Sequence, residues 1–256
     1  MKTRQELKLM AKEAMQAQRK TAILLMLVMV LKVLVLGVFN DIVVRRLGLF
    51  PFQLVNVAVT LALIVLAVNM MREYLKISRG EPTHVMALYP DFKVHLGRKL
   101  GGMLWMFLWV MIWAMIAVPV FLLAMYLIRS TGRGMRIFAI LLLGPFHLVA
   151  LIPAIIKGLE YSMTAFVLAD CPDVPAREAL NRSKRIMKGR RGELFVLILS
   201  FAGWMALSAL TLGVLYVVYV GPYYYLTIAG FYDDRKDQVP EEDVVVKAVL
   251  IEKATE

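Results

Sequence analysis

Four polar side chains interrupt long apolar stretches of this sequence: Lys32, His147, Tyr223 and Tyr224. Side chains of these types can bind or move a proton or an ion when they lie away from water. Three roles are open for Lys32: its amine reaches the outer end of its helix, pairs within a bundle, or takes part in transport. Two are open for His147: a hydrogen bond to a carbonyl freed by the nearby Pro145, or a proton relay.

The two tyrosines belong to a run of three that follows Gly221-Pro222. Pro222 has no backbone N–H, so we expect it to kink the helix that contains it. The rings of Tyr223, Tyr224 and Tyr225 favour packing and anchoring near a membrane interface. Lining a polar cavity is the alternative, and it keeps Tyr223 and Tyr224 among the candidate intramembrane polar residues.

Patterns for catalysis and metal binding are missing from the sequence. It contains no metalloprotease His-Glu pair, nucleophile elbow, phosphate loop or dinucleotide fingerprint. His84 and His95 could share a helix face, but they lack the further ligands that a metal needs. Lys157 and Glu160 are three residues apart, which favours an ion pair on one helix face over a proton relay. We therefore predict no enzyme activity, catalytic residue, cofactor or metal site.

The elements that carry these residues are apolar helices. Hydrophobic residues make up 60% of the chain, above the roughly 45–50% of soluble domains. Several apolar runs approach or exceed the about 20 residues that a membrane-spanning helix needs, and backbone in lipid must be helical. The predicted fold class is all-α, a polytopic membrane bundle with six spans plus amphipathic surface helices. The predicted spans are about 21–39, 52–71, 100–128, 137–156, 194–212 and 214–232.

Two of the predicted spans are irregular. The run at 100–128 is longer than the bilayer core of about 30 Å requires, so tilt, a kink at Pro119 or a protruding end must absorb the excess. The fourth span is interrupted by Gly144-Pro145 and by Pro153, and apolar character resumes as far as Ala169. Either one helix projects from the membrane there, or a broken helix leads into an interfacial one.

Basic residues concentrate on one side of these spans. Of the 30 lysines and arginines, 24 lie in segments 1–20, 72–99, 157–193 and 233–256. The positive-inside rule places these four segments, and with them both termini, in the cytoplasm. The net charge of +11 then indicates contact with an anionic inner leaflet. We predict no nucleic-acid binding, because the charges flank membrane segments and form no basic face interleaved with aromatic residues.

Two segments outside the spans have the pattern of amphipathic helices. The first, at 1–20, has Leu7, Met10, Ala11, Ala14 and Met15 on one face. The second, at 175–188, begins near a possible cap at Asp173, has Pro175 at an early position and stops at Gly189. Its weakly apolar stripe contains Ala176, Ala179, Leu180, Ser183, Ile186 and Met187.

Seven basic residues lie in or directly after the second helix and are candidate contacts for lipid or a partner protein. One interpretation is a topogenic helix lying on the inner leaflet. The alternative is a dedicated docking site for a protein or a lipid headgroup. The seven residues are Arg177, Arg182, Lys184, Arg185, Lys188, Arg190 and Arg191.

The remaining segment, 233–256, is a predicted cytoplasmic tail of mixed charge. It contains one short apolar run, Val244–Ile251. This run either pairs as a strand or docks on the bundle.

The second half of the chain resembles a known family. Tyr161–Asp170 reads YSMTAFVLAD, Glu178–Gly189 reads EALNRSKRIMKG, and Leu194–Trp204 reads LFVLILSFAGW, with Pro222-Tyr223 and Ala229–Tyr232 after them. In order and spacing this is similar to the bacterial integral-membrane family catalogued as domain of unknown function 975. The resemblance covers about residues 155–233, whereas the first half is similar only in hydropathy and in its basic N-terminal helix. It implies a six-span bacterial membrane protein and no particular activity.

The sequence therefore favours a non-enzymatic component of the bacterial cytoplasmic (inner) membrane. Such a component would bind lipids or partner proteins, a second copy of itself included, in assembly or envelope homeostasis. The alternative is a small transporter or channel whose polar pathway passes Lys32, His147 and the kink at Pro222.

Overall fold

The structure, a computed structural model, describes residues 2–47, 49–89, 95–130 and 132–237. All regular structure in these ranges is helical, and they contain no strand. The predicted run at Val244–Ile251 lies outside the described residues. The α-helices are α1 (Arg4–Ala17), α2 (Arg19–Leu47), α3 (Leu49–Ser78), α4 (Leu96–Ala114), α5 (Val118–Ser130), α6 (Arg133–Phe138), α7 (Gly144–Ala150), α8 (Ile152–Tyr161), α9 (Thr164–Asp170), α10 (Ala176–Met187), α11 (Arg191–Leu199), α12 (Ala202–Leu210) and α13 (Gly221–Lys236).

The N-terminal helix α1 starts with a reciprocal cap. Thr3 accepts a hydrogen bond from the Glu6 backbone N–H, and Glu6 accepts one from the Thr3 backbone N–H, which satisfies two donors at the helix start. The apolar face of α1 is buried at Leu7, Ala11 and Met15, where the helix packs against α13 and α3. This face is therefore covered by protein, and α1 is a packed part of the bundle rather than a free surface helix.

The first two predicted spans are parts of longer helices. α2 has 29 residues and α3 has 30, so each is about 44 Å long at 1.5 Å per residue. The first half of α2 and the second half of α3 pack together, with the Tyr74 hydroxyl donating to the Ala22 carbonyl over 3.1 Å. Ala22 and Tyr74 are both fully buried, so the two helices are joined by a polar contact inside an apolar interface.

The third span breaks where its proline predicts. α4 and α5 are separated by one 3₁₀ turn, Met115–Ala117, directly before Val118 and Pro119. Pro119 cannot donate a backbone hydrogen bond and its ring crowds the preceding turn, which favours such a local change. Leu96–Arg129 as a whole remains long and apolar enough to cross a membrane.

The fourth span is a broken helix. Its pieces are α6, a π-helical turn at Ala139–Leu143, α7, α8 and α9. Pro145 and Pro153 lie at the starts of α7 and α8, where a missing N–H costs least. The last piece, α9, packs against α3, α10 and α4. Of the two interpretations left open by the sequence, a broken helix is the observed one, and its final piece is buried in protein.

The last two spans are joined by a tight turn at Thr211–Gly213. Leu212 and Gly213 both have positive φ, at 50° and 82°, a conformation in which glycine is unstrained. A π-helical turn at Tyr216–Val220 then leads into α13. Pro222 is therefore at the start of α13, and the disturbance expected at this proline takes the form of a π-helical turn before it.

Four helices in the described ranges are long and apolar enough to cross a membrane: Gln53–Ser78, Leu96–Arg129, Gly144–Asp170 and Arg191–Leu210. They coincide with, or overlap, the second to fifth predicted spans. The first and sixth predicted spans stay predictions. Burial is uneven among the four helices. Only 6% of the most apolar stretch of Leu96–Arg129 is buried inside the protein, against 44% of the corresponding stretch of Gly144–Asp170.

Candidate functional site

The described parts of the four basic segments meet at one end of the bundle, which we call the basic end. Each of the segments 1–20, 72–99, 157–193 and 233–237 touches at least one of the others through a hydrogen bond or an ion pair. The contacts are Lys2 with Asp234, Gln18 with Glu81, Arg79 with Asp170, and Arg190 with the Arg235 carbonyl.

An ion-pair network centred on Arg79 connects three helix ends. Arg79 lies 2.7 Å from Asp170 at the end of α9 and 2.7 Å from Asp233 in α13. Lys236 contacts the same two carboxylates at 3.0 and 3.1 Å, and the Tyr232 hydroxyl donates to Asp170. The hydrogen bonds to Asp233 and Asp170 raise the pKa of Arg79. Sequence reasoning counted these residues only as basic charge or as a family motif.

Helix α10 packs its stripe onto the protein rather than onto lipid. Ala179, Leu180, Ile186 and Met187 are buried, and the helix contacts α4, α8 and α9. Ser183 joins it to the break between α8 and α9, since its hydroxyl donates to the Glu160 carbonyl at 2.8 Å and accepts from the Met163 N–H at 3.2 Å. The apolar stripe is therefore not available for insertion into a leaflet.

The ends of α10 match the sequence in one respect and differ in another. Gly189 has φ +75° and ends the helix as predicted. The predicted cap at Asp173 is wrong, because the helix begins at Ala176 and Pro175 occupies the capping position without a side-chain hydrogen bond. Asp173 lies two residues too early for its carboxylate to serve the first turn.

The seven basic candidates divide into two groups. Arg177, Arg182, Lys184 and Lys188 are exposed. The other three are less exposed: Arg185 pairs with Glu178, Arg190 donates to backbone carbonyls, and Arg191 lies 2.6 Å from Glu160. Two of the exposed residues also have protein contacts, since Arg182 lies 3.9 Å from Glu178 and the Lys184 amine lies 5.2 Å from the centroid of the Tyr161 ring. Of the seven, the four exposed residues are thus best placed to contact a lipid or a partner.

Glu160 is a shared partner for two cations. Its predicted pair with Lys157 is confirmed at 2.8 Å. Its second partner, Arg191, was missed, because the two are 31 positions apart in the sequence and only the packing of α11 beside α8 brings them together.

The structure gives Lys32 a protein partner on the basic side. Its amine lies 4.3 Å from the centroid of the Tyr89 ring, in the connection that leads from α3 to α4. In this structure the amine is therefore directed toward the basic side and not toward the outer end of its helix. Side chains in an α-helix point toward its N-terminus, which for α2 is the direction of that connection.

His147 is hydrogen-bonded across two helices. Its Nδ1 is 3.2 Å from the carbonyl oxygen of Ala117, in the 3₁₀ turn before Pro119, and its ring packs near Phe121. A hydrogen bond to a carbonyl was predicted, but the acceptor belongs to the neighbouring helix and not to the helix broken by Pro145. The pairing requires Nδ1 to carry the proton.

The three tyrosines of α13 pack against aromatic rings. Tyr223 and Tyr224 contact Phe201 edge-on, with ring centroids 5.2 and 5.4 Å apart, and Tyr225 stacks on Tyr74 at 5.5 Å. Such pairs stabilise an interface beyond their area. The structure therefore places Lys32, His147 and the tyrosines in three different surroundings.

Other polar residues of the basic end were not found from the sequence. Glu73 of α3 is fully buried and contacts Arg72, Lys76 and the Thr83 hydroxyl. Its signal was a carboxylate between two basic residues at a span end, a spacing that permits an ion pair at i and i+3.

The two histidines considered as metal ligands are not on one helix. His84 precedes the 3₁₀ turn Val85–Leu88, and His95 has φ 54° before α4. The part of the chain that the structure describes contains no group of three or more residues that could hold a metal ion.

Comparison with known proteins gives one match. The family described as protein of unknown function (DUF975) matches residues 1–238, so the chain belongs to this family. The match includes the first half of the chain, where the sequence motifs gave only a general likeness. Neither a curated protein nor a solved structure matches the chain.

Proposed function

We propose that this family member is a non-enzymatic membrane component whose basic end binds the headgroups of anionic lipids. The observation that carries the proposal is the orientation of α10. Arg177, Arg182, Lys184 and Lys188 are exposed, while the apolar stripe of the helix is buried against the protein. The helix thus presents charge in a fixed arrangement without offering an apolar face.

The membrane arrangement is part of the proposal. We place the chain in the bacterial cytoplasmic membrane with six spans and both termini in the cytoplasm. The four basic segments contact one another at one end of the bundle, so they lie on the same side of the membrane. The chain must then cross the membrane an even number of times between any two of them, and their positive charge favours the cytoplasmic side. Many large apolar side chains of α4, α5 and α12 are exposed. In the membrane they would be covered by lipid or by a second membrane protein.

Binding through α10 would be electrostatic. A basic residue near an anionic leaflet is worth about 1 kcal/mol, so four of them supply about 4 kcal/mol. Because the charges are exposed, the attraction should weaken as salt shortens the Debye length. A helix that inserted its apolar face would keep most of its affinity in high salt.

The first prediction tests this surface with the full chain in nanodiscs that mix phosphatidylglycerol and phosphatidylcholine. After brief detergent extraction, mass spectrometry gives the ratio of the two lipids that remain bound. We expect enrichment of phosphatidylglycerol over the bulk mixture, lost at high salt and in the variant with Arg177, Arg182, Lys184 and Lys188 all changed to Gln.

The control removes two exposed charges at the opposite end, Arg129→Gln with Arg136→Gln, and should retain the enrichment. Equal lipid ratios in the native chain and in the α10 variant would refute lipid binding by this surface. A co-purified acidic protein that is lost with the α10 charges would reassign the surface to a protein partner.

The transporter or channel alternative is not favoured by a specific observation. Its candidate residues contact Tyr89, Ala117 and Phe201 respectively, and these neighbours belong to separate parts of the bundle. It stays a prediction from the sequence.

A further inference from the structure

The connection from α3 to α4 carries an exposed apolar face. It contains the 3₁₀ turn Val85–Leu88, and side chains three positions apart lie on the same face of such a turn. Leu88 is fully buried and Val85 packs against the core, so these two form the inner face. Met86 and Tyr89 form the outer face and are 70% and 43% exposed. The turn is therefore amphipathic, with a methionine and a tyrosine directed away from the protein.

The backbone of the turn is fastened to α3 by polar side chains. The Ala87 carbonyl accepts a hydrogen bond from Arg72 at 3.1 Å, and the Leu88 carbonyl accepts one from the Asn69 amide at 2.9 Å. Two successive carbonyls are thus satisfied by the protein itself. Water can satisfy the carbonyls of an exposed loop, whereas non-helical backbone beside lipid must find its partners within the protein.

These hydrogen bonds attach the turn to α3 where the apolar stretch of that helix ends. From Gln53 onward α3 is apolar enough to cross a membrane, and residues 52–71 contain no charged side chain. At 1.5 Å per residue, about 20 residues of helix cross a hydrocarbon core of about 30 Å. Arg72 follows this stretch directly, and Asn69 lies one turn before it. With α3 as a span, the turn is held at the boundary between the hydrocarbon core and the headgroups on the basic side.

The outer face of the turn adjoins α2, the neighbouring long helix. The Tyr89 ring lies 4.3 Å from the Lys32 amine, and Val35, one helical turn further along the same face of α2, is exposed. Tyrosine and lysine anchor proteins at the membrane interface, because each combines an apolar body with a polar tip. This pair suits the same boundary that the hydrogen bonds to α3 indicate.

The connection becomes less polar along its length. Its first part is exposed at Glu81 and His84, and the Glu81 carbonyl accepts a hydrogen bond from the Gln18 side chain at 2.7 Å. The Thr83 hydroxyl donates to Glu73. The exposed side chains of the following turn are apolar or aromatic. Polarity that changes in this direction is typical of a segment that passes from water to the membrane interface.

We infer that the turn Val85–Leu88 inserts its outer face, Met86 with the adjoining Tyr89, into the interfacial region of the cytoplasmic leaflet. Acyl chains cover the face there, and the insertion sets the depth of the basic end in the membrane. The inference rests on the membrane arrangement proposed above and not on headgroup binding by α10. The face of the turn needs only the upper acyl chains of a phospholipid, whereas the α10 surface needs negatively charged headgroups.

The second prediction tests the depth of the turn in Cys171→Ser protein reconstituted in liposomes of phosphatidylglycerol and phosphatidylcholine. A nitroxide spin label is attached to Met86→Cys, to Glu81→Cys as the aqueous reference and to Leu108→Cys, an exposed position of α4, as the lipid reference. Paramagnetic resonance measures collisions of the label with oxygen, which concentrates in lipid, and with a water-soluble nickel chelate. We expect the ratio of oxygen to nickel collisions at Met86→Cys to be several times that at Glu81→Cys.

Further variants separate the turn from the α10 surface. Tyr89→Cys labels the same face and should give the ratio found for Met86→Cys, so it decides the matter if Met86→Cys does not fold. Adding Lys184→Gln with Lys188→Gln should leave the ratio at Met86→Cys unchanged, because the turn inserts by apolar contact. For the same reason, liposomes of phosphatidylcholine alone should give the same ratio.

The inference is overturned if the collision ratio at Met86→Cys equals that at Glu81→Cys while Leu108→Cys stays in lipid. Low accessibility of Met86→Cys to both oxygen and nickel also overturns it, because a partner protein or a second copy then covers the turn. High nickel accessibility at Leu108→Cys as well would overturn the membrane arrangement together with this inference.

Discussion

At the scale of single residues, Lys32 links the apolar part of the chain to its basic end. Its amine contacts the Tyr89 ring at 4.3 Å, a cation–π pair worth about 0.5–2 kcal/mol. A lysine at the centre of a membrane helix costs about 2.5–3.5 kcal/mol on insertion scales. If α2 spans the membrane as the sequence predicts, this insertion cost exceeds the free energy gained from the Tyr89 ring, and Lys32 destabilises the protein.

The third prediction separates the insertion cost of Lys32 from its interaction with Tyr89 by a double-mutant cycle. Lys32→Met should leave the protein folded and raise its unfolding free energy, because the insertion cost disappears with the charge. Tyr89→Leu should lower the unfolding free energy of the native chain by about 0.5–2 kcal/mol, and by much less in the Lys32→Met background. Denaturant unfolding of the four proteins in one detergent measures both effects.

If Tyr89→Leu costs the same in both backgrounds, the two side chains are not coupled and the ring contributes only by packing. The cycle also bears on transport. Under the transporter alternative, Lys32→Met should abolish flux in proteoliposomes, whereas a lysine that only pairs with Tyr89 can be replaced without that consequence.

At the scale of helices, the junction before α13 depends on a glycine. A Cβ at Gly221 would lie 2.8 Å from the Tyr216 carbonyl oxygen and 2.7 Å from the end of the Met26 side chain. The carbonyl belongs to the π-helical turn Tyr216–Val220 and cannot move without changing that turn. The glycine therefore permits the backbone to pass from the π-helical turn into α13 beside α2.

The fourth prediction concerns this junction. Gly221→Ala should lower the unfolding free energy by about 1–3 kcal/mol, because the added methyl overpacks a buried position. Gly203→Ala is the matched control, since a Cβ there meets nothing within 4 Å and alanine is favoured over glycine in a helix by about 0.5–1 kcal/mol. Thermal unfolding of both variants in the same detergent tests the difference, and equal melting temperatures would contradict it.

The sequence predicted the helices better than their interruptions. Apolar runs and prolines are local signals, and they placed the second to fifth spans and the break at Pro119. The break between α8 and α9 depends on Ser183, which bonds Met163 and the Glu160 carbonyl from twenty or more positions away. No local sequence pattern indicates such a long-range hydrogen bond. The lengths of α8 and α9 are therefore set by packing and could not be predicted from the sequence.

The same reasoning applies to the candidate site. The basic face of α10 and the pair Lys157–Glu160 could be predicted, because helical spacing fixes which side chains are neighbours. The direction of Lys32 and the second partner of Glu160 could not. Each of these depends on contacts between segments far apart in the chain.

At the scale of the molecule, the packed core is at the basic end. Leu25, Tyr74 and Phe231 are almost fully buried there, whereas Leu141 and Leu212, which belong to the other half, are 71% and 95% exposed. Lipid can cover apolar side chains without cost, so helices need to pack tightly only where polar groups must be enclosed. The Arg79 network and Glu73 are such groups, which accounts for the position of the core.

The fifth prediction tests the orientation of the whole molecule. The chain contains one cysteine, Cys171, so Cys171→Ser provides a background in which single cysteines can be placed. Lys12→Cys puts a thiol on the exposed side of α1 at the basic end, and Gly132→Cys puts one at an exposed position between α5 and α6. A membrane-impermeant maleimide added to intact spheroplasts should label Gly132→Cys and leave Lys12→Cys unlabelled.

After the membrane is permeabilised, both thiols should react, which shows that each is accessible. The opposite pattern in intact spheroplasts would turn the molecule over and place the α10 charges outside, away from the anionic inner leaflet. The six-span arrangement predicts an odd number of membrane crossings between the two positions. Labelling of both thiols before permeabilisation would require an even number and would contradict that arrangement. The orientation thus determines whether the basic surface of α10 faces the lipids of the inner leaflet at all.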